Sequence, residues 1–233
     1  MPTYDFWRTK SVTSLGYTWM QQAARFTFTR LQQHALHART IVEIGPGRGI
    51  FMKTCLDHGL AYTAVDINPG LLQALDGQPA ICANAPTLGL SDQICDVVVA
   101  SHVFEHMADI HQARAFLNEL IRILRPNGII ILTTPDLLWY ESYFWDCDYT
   151  HNFPTSARRL QQMFLDHNLG ICSLEYVHNH LTGLAGFCLG HVMRKVPYRM
   201  PLTMPGQKGY SDQIYKARLT FARCVCIIGQ RTI

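Results

Sequence analysis

The eight cysteines, at positions 55, 82, 95, 147, 172, 188, 224 and 226, include no C-x-x-C pair. Most fall within apolar runs, where they read as small buried hydrophobes. Cys224 and Cys226 are too close along one strand for a natural disulfide and have no second ligand pair for zinc. A reduced, cytoplasmic protein is therefore expected. No His/Cys/Asp cluster has metal-ligand spacing, so no metal is predicted. Long hydrophobic runs are also missing. The least charged late stretch, Leu181 to Val192, is broken by glycine and well short of the roughly 20 residues a membrane span requires. Charge is sparse, at 16% of residues and a net +3, and the densest basic pairs are only Arg158-Arg159 and Arg194-Lys195. Such pairs read as solvated surface and give no case for a nucleic-acid partner. The first residues, Met-Pro-Thr-Tyr-Asp-Phe-Trp, lack a basic segment followed by an apolar core, so no secretory signal is expected. There is no internal repeat and no low-complexity segment.

What is present begins at Ile41-Val-Glu-Ile-Gly-Pro-Gly-Arg-Gly49. A β-branched run meets three glycines at alternate positions and passes into Ile50–His58, whose apolar spacing predicts a helix closed by Gly59. Glycines so placed let backbone approach a ligand. A dinucleotide fingerprint needs a further glycine where Ile50 stands, which argues against NAD. Glu43, two residues before Gly45, suits an ammonium group or ribose hydroxyls and would repel a pyrophosphate. Ala61–Val65 predicts a second strand ending in Asp66, at the place where an open parallel sheet holds a ribose. A third short strand at 80–82 leads to Asn84-Ala85. Cys95–Ala100 is the near-continuous apolar run of a strand buried on both faces, and it opens into Ser101-His-Val-Phe-Glu-His106. A helix from Ile110 carries Ala113, Leu117, Leu120, Ile121 and Leu124 on one stripe and stops at Arg125-Pro-Asn-Gly128, before a fifth strand at 129–132.

In their order and spacing, these motifs resemble the class I S-adenosylmethionine-dependent methyltransferases, of the broad type 11/type 23 small-molecule kind. The likeness runs over about residues 40 to 136. It implies an α/β, Rossmann-like, seven-stranded and mostly parallel sheet, with strand seven antiparallel between strands five and six and helices on both faces. It implies S-adenosylmethionine as cofactor, held by Glu43, Gly45, Gly47, Gly49, Asp66, Ile67, Asn84, Ala85, Ser101 and His102. Asn84 replaces an aspartate that commonly accepts from the adenine amino group; its amide oxygen still accepts, without the charge assistance.

Residues 1–38 are expected to form a helical cap, with one long helix beginning at a Thr18 cap, and residues 39–233 the methyltransferase domain. Strands six and seven are predicted at 171–177 and 220–228, separated by a lid or insertion at about 178–212 that could touch lipid peripherally. Past strand five, Trp139, Tyr140, Tyr143, Phe144 and Trp145 read either as core or lid, or as an acceptor platform, and a helix starts at Thr155 or Ser156. His151, followed by Phe153 and this helix start, matches the family's acceptor-side histidine and is the candidate general base, with His102 and His106 in reserve. The expected activity is methylation of a small-molecule acceptor, on oxygen, with a sugar, a glycolipid intermediate or a phenolic, quinone-like compound all fitting. The alternative is a catalytically inactive cofactor-binding partner or scaffold.

Overall fold

A computed structural model describes residues 12–75, 77–178, 183–196 and 217–232. The chain runs α1 (Ser14–His34), β1 (Thr40–Ile44), α2 (Ile50–Asp57), β2 (Ala61–Asp66), α3 (Pro69–Gln73), β3 (Ala80–Cys82), β4 (Cys95–Ser101), α4 (Ile110–Ile123), β5 (Leu124–Pro135), α5 (Leu137–Tyr140), α6 (Tyr143–Cys147), α7 (Ala157–Asp166), β6 (Leu169–His178), α8 (Gly183–Lys195) and β7 (Arg223–Arg231). The strands form one seven-stranded sheet in the order β3-β2-β1-β4-β5-β7-β6. β7 is antiparallel to both of its neighbours, while β1 pairs in parallel with β2 and β4, and β4 with β5. This is the predicted sheet, including the position of strand seven.

Alternation along the central strands divides the core. Val42, Ile44, Val98, Ala100, Ile130 and Leu132 pack on one face with Phe116, Leu117 and Leu120 of α4 and Leu160, Met163 and Phe164 of α7. Ile41, Val97, Val99, Ile129 and Ile131 pack on the other with Phe28 and Leu31 of α1 and Phe51 and Cys55 of α2. At the end of the sheet away from the strand tips, Asp96 accepts from the Arg39 and Thr40 amides (2.8 and 2.9 Å) and from Arg125 (2.8 Å), which joins β1, β4 and the start of β5. These contacts overcome partial burial and hold its carboxyl down at about 2.

Several boundaries differ from the sequence expectation. α1 starts five residues earlier because Thr13 rather than Thr18 caps it, its Oγ1 accepting from the Gly16 amide at 3.1 Å, while Thr18 bonds back to the Ser14 carbonyl inside the helix. Its buried stripe is Ala24, Phe28 and Leu31, and Arg30 grips Glu175 of β6 through two 2.6 Å bonds. The first half of α1 has no fully buried residue. β5 begins at Leu124, with an irregularity before Ile129, and Asn127 takes a left-handed conformation (φ 63°), which asparagine tolerates. β7 lies three residues later than predicted, since Thr220 belongs to a preceding helical turn. Of the expected aromatic stretch, Trp139, Tyr140, Tyr143 and Phe144 form a separate buried cluster and Trp145 is exposed, so the group is core, with Tyr140 also reaching the cavity wall. Of the expected insertion, α8 is described, whereas residues 179–182 and 197–216, like the aromatic Tyr4, Phe6 and Trp7, lie outside the described residues.

Gly229 of β7 sits where an added Cβ would meet the buried Phe164 ring at 2.5 and 2.7 Å. Gly229→Ala is expected to destabilise by ~1–3 kcal/mol through overpacking, read as a fall in thermal midpoint of roughly 2–4 °C per kcal/mol. An unchanged midpoint would mean that the Phe164 ring yields freely.

Candidate active site

The chain order of the sheet reverses between β1 and β4, and a crevice opens there beyond the carboxyl ends of the strands. A cavity of about 1110 Å³ occupies it. That exceeds the usual small-molecule site of about 300–1,000 Å³ and leaves room for a nucleoside cofactor together with an acceptor. Glu43, Gly45, Gly47, Asp66, Ile67, Asn84, Ala85, Ser101, His102 and His151 all line it. Gly49 does not. It stands behind the turn as the left-handed N-cap of α2 (φ 69°), where a Cβ would strike Leu75 at 2.8 Å.

The first wall is the glycine turn. The Gly45 amide donates to the Val65 carbonyl at 2.8 Å, locking the tip of β1 to β2, and a Cβ here would lie 2.7 Å from Val103. Gly47 also has positive φ (54°), but nothing lies within 4 Å of where its Cβ would project, so backbone faces open cavity. Glu43 is buried at the end of β1 and accepts a hydrogen bond from the Tyr62 hydroxyl of β2. Burial pushes its carboxyl up to about 8, against the opposing pull of that bond. On β2, Asp66 accepts from the Asn68 amide at 2.8 Å, and Asn68 in turn caps α3 through the Gly70 amide at 2.9 Å. Partial burial raises the Asp66 carboxyl, opposed by the Asn68 and Ile67 amides.

The opposite wall follows β4. Ser101 pairs with Thr133, and His102 then takes the left-handed region (φ 58°), uncommon outside glycine, with its amide bonded to the Thr133 carbonyl at 2.9 Å. A single 3-10 turn at Phe104–His106 carries the residue that sequence reasoning passed over. Glu105 is 1% exposed, and its carboxylate accepts from His102 Nδ1 and Thr134 Oγ1, each at 3.2 Å. Burial works against its charge, but the His102 bond and the nearby imidazoles outweigh it and hold Glu105 below its ordinary range. Its backbone carbonyl accepts from the Asn152 and Phe153 amides at 3.0 and 2.9 Å, which seats His151 beside His106 with ring centres 5.0 Å apart. His151 Nδ1 lies 2.8 Å from the Phe144 carbonyl, and burial lowers its proton affinity, partly offset by Glu105. The only sequence signal for Glu105 was its membership of a Glu-His pair after an apolar strand. α1 contributes Met20, Ala23, Phe26 and Thr27 to the outer wall, which no spacing in the sequence revealed.

An acid on each of two adjacent strand tips, a glycine turn with open space against its backbone, and a histidine-rich far wall all face one cavity at the switch point of an α/β sheet. Residues 42–132 match the family described as "Methyltransferase domain". An uncharacterized methyltransferase of Mycobacterium avium is 30% identical over 103 residues, a match spanning 41% of this chain and 39% of that protein. Among solved structures, a SAM-dependent methyltransferase from Archaeoglobus fulgidus superposes with a TM-score of 0.60 at 20% identity, covering 89% of this chain and 94% of that one. The 1,6-didemethyltoxoflavin-N1-methyltransferase of Burkholderia thailandensis, with S-adenosylhomocysteine bound, reaches 0.59 at 12% identity, covering 91% and 80%. Residues 42–132 thus match a methyltransferase domain, in a chain with the fold of solved S-adenosylmethionine-dependent methyltransferases.

Two outcomes follow for the acids. Because Glu43 holds a proton in the fold that an unfolded chain releases above its ordinary 4.5, it contributes stability that declines as pH rises from about 4.5 to about 8. In Glu43→Gln that decline is absent, so its thermal midpoint relative to wild type should climb between about pH 5 and pH 8. A pH-independent difference would contradict the buried, protonated carboxyl. Asp66→Ala should weaken S-adenosylmethionine binding by about tenfold or more, the worth of a charge-assisted bond of ~1.5–3 kcal/mol; an unaltered calorimetric affinity would remove Asp66 from the ribose site.

Proposed function

We propose that this protein transfers a methyl group from S-adenosylmethionine to a small-molecule acceptor, with oxygen as the receiving atom. The observation that carries the reading is the placement of His151, buried and aligned by a backbone carbonyl, on the wall of the same cavity as Glu43 and Asp66. The bound sulfonium supplies an activated methyl group. What remains for the chain is to place an acceptor in line with it, take the acceptor's proton and exclude water.

In this reading Glu43 and the Gly45–Gly47 backbone hold the amino-acid end, Asp66 with Ile67 the ribose, and Asn84-Ala85 the adenine, while Ser101 and His102 line the methionine side. The Phe144 carbonyl at 2.8 Å fixes the His151 proton on Nδ1, which leaves Nε2 to accept a proton from the acceptor. Its lowered affinity favours the neutral, accepting form at neutral pH. Residues 1–38 serve as a cap, for which the support is the α1 side chains on the cavity wall. Their apolar character suits a sugar-linked lipid intermediate or a phenolic, quinone-like acceptor. Among the described residues no helix is long and apolar enough to cross a membrane. The eight cysteines are all free, which supports a reduced, cytoplasmic setting.

His151→Ala is expected to lower turnover at saturating acceptor by roughly 10²–10⁴-fold, the range of a lost general base, with cofactor affinity retained. The acceptor is found by adding purified protein and methyl-labelled cofactor to a metabolite extract and following which compound gains the label. Full turnover in His151→Ala would sink the assignment of the base. Cofactor binding with no labelled product would favour a non-catalytic binding partner.

A further inference from the structure

Glu105, His106 and His151 come from two separate segments, yet one coordinating atom of each lies within 4.8 Å of those of the other two. All three line the cavity. We propose that they form a binding site for one divalent transition-metal ion at the acceptor end of the cavity.

The hydrogen bonds behind the rings decide which nitrogen of each carries the proton. His106 Nδ1 lies 2.9 Å from Thr150 Oγ1 and 3.3 Å from the Thr150 carbonyl. The Thr150 hydroxyl spends its own proton on Asp148 at 2.6 Å, so toward the imidazole it is an acceptor. Both neighbours of Nδ1 therefore accept, and the ring's proton sits there. His151 is in the same position, with its Nδ1 against the Phe144 carbonyl at 2.8 Å. Each imidazole thus carries its lone pair on Nε2, the atom away from its anchoring oxygen. Oxygen anchors on the far nitrogen are the usual outer support of a metal-binding histidine, since they fix both tautomer and ring plane.

The third donor is a carboxylate, anchored in turn by the Thr134 hydroxyl and His102. Its negative charge offsets half of a divalent ion's in a buried place, where an uncompensated charge would be costly. Two imidazole nitrogens and one carboxylate oxygen suit zinc, cobalt, nickel, copper or ferrous iron, whereas magnesium and calcium prefer all-oxygen sets. Three protein ligands leave a coordination position open toward the cavity, as in sites that bind a substrate oxygen. An ion at ~2.0–2.1 Å from each donor draws the three closer together. His106, half-buried on its single 3-10 turn, is placed to make that movement. An ion here and proton uptake by His151 exclude one another, because both need the same lone pair. The site does not depend on methyl transfer, and binding alone tests it.

Cobalt(II) is the probe, added to metal-stripped, phosphine-reduced protein. Wild type should take up one equivalent with visible ligand-field bands of a nitrogen/oxygen site. Zinc should displace it, and excess magnesium should not. His106→Ala and His151→Ala should each weaken uptake by more than about 100-fold, the upper end of the cost of losing merely an outer-shell partner, with thermal unfolding of His106→Ala close to wild type. Because His106 is only half-buried, that variant decides the matter even where replacing His151 impairs folding. No uptake by wild type, uptake unchanged in His106→Ala, or thiolate charge-transfer bands reporting capture by cysteines would each overturn the proposal.

Discussion

The buried carboxylate of Glu105 is the constraint on which the far side of the site depends. An ionised group with 1% exposure persists only when its lone pairs are engaged, and here the partners come from three directions. The exit of β4 supplies His102, β5 supplies Thr134, and the 106 and 151 rings close the third side. The same residue's carbonyl takes two amides of the loop at 152–153, so one position sets both the electrostatics and the course of the chain that delivers His151. Phe153, fixed by that loop, stacks edge-on against Phe104 at 5.3 Å, and this apolar contact closes the arrangement from below.

The opposite wall is built on different principles. There the backbone does most of the shaping: three residues of positive φ within five positions turn the chain from β1 into α2, and the polar anchors are the carboxyls of Glu43 and Asp66 at the strand tips. One wall is therefore acidic and largely main chain, and the other is imidazole-rich and made of side chains. That asymmetry fits a cavity with two dissimilar occupants.

Local pattern made the sheet legible. A near-continuous apolar run at 95–100, a β-branched run before alternating glycines, and an acid at the next strand tip have meaning whatever the rest of the chain does, and each is found where the pattern put it. Helix α1 was less readable because Thr13 and Thr18 are equally good caps in isolation, and only the tertiary position of the helix separates them. The aromatic stretch after β5 stayed open between core and platform for a related reason: short helices of four and five residues carry too little periodicity to say which side is buried. Glu105 was hidden because its importance lies in partners far along the chain, Thr134 and the 152–153 amides, which no spacing rule connects. Gly49 was assigned to the ligand by position in a motif, whereas its work is steric, against Leu75.

The placement of α1 has a consequence for traffic through the cavity. Its carboxyl half is riveted to the body by Ala24, Phe28, Leu31 and the Arg30–Glu175 pair, while its amino half overlies the cavity without a fully buried residue. Helix ends held so lightly are the first parts of a fold to fray, at a small fraction of the global unfolding free energy. The amino half of this helix is thus the part of the cavity wall that opens at least cost, above strands that are buried on both faces.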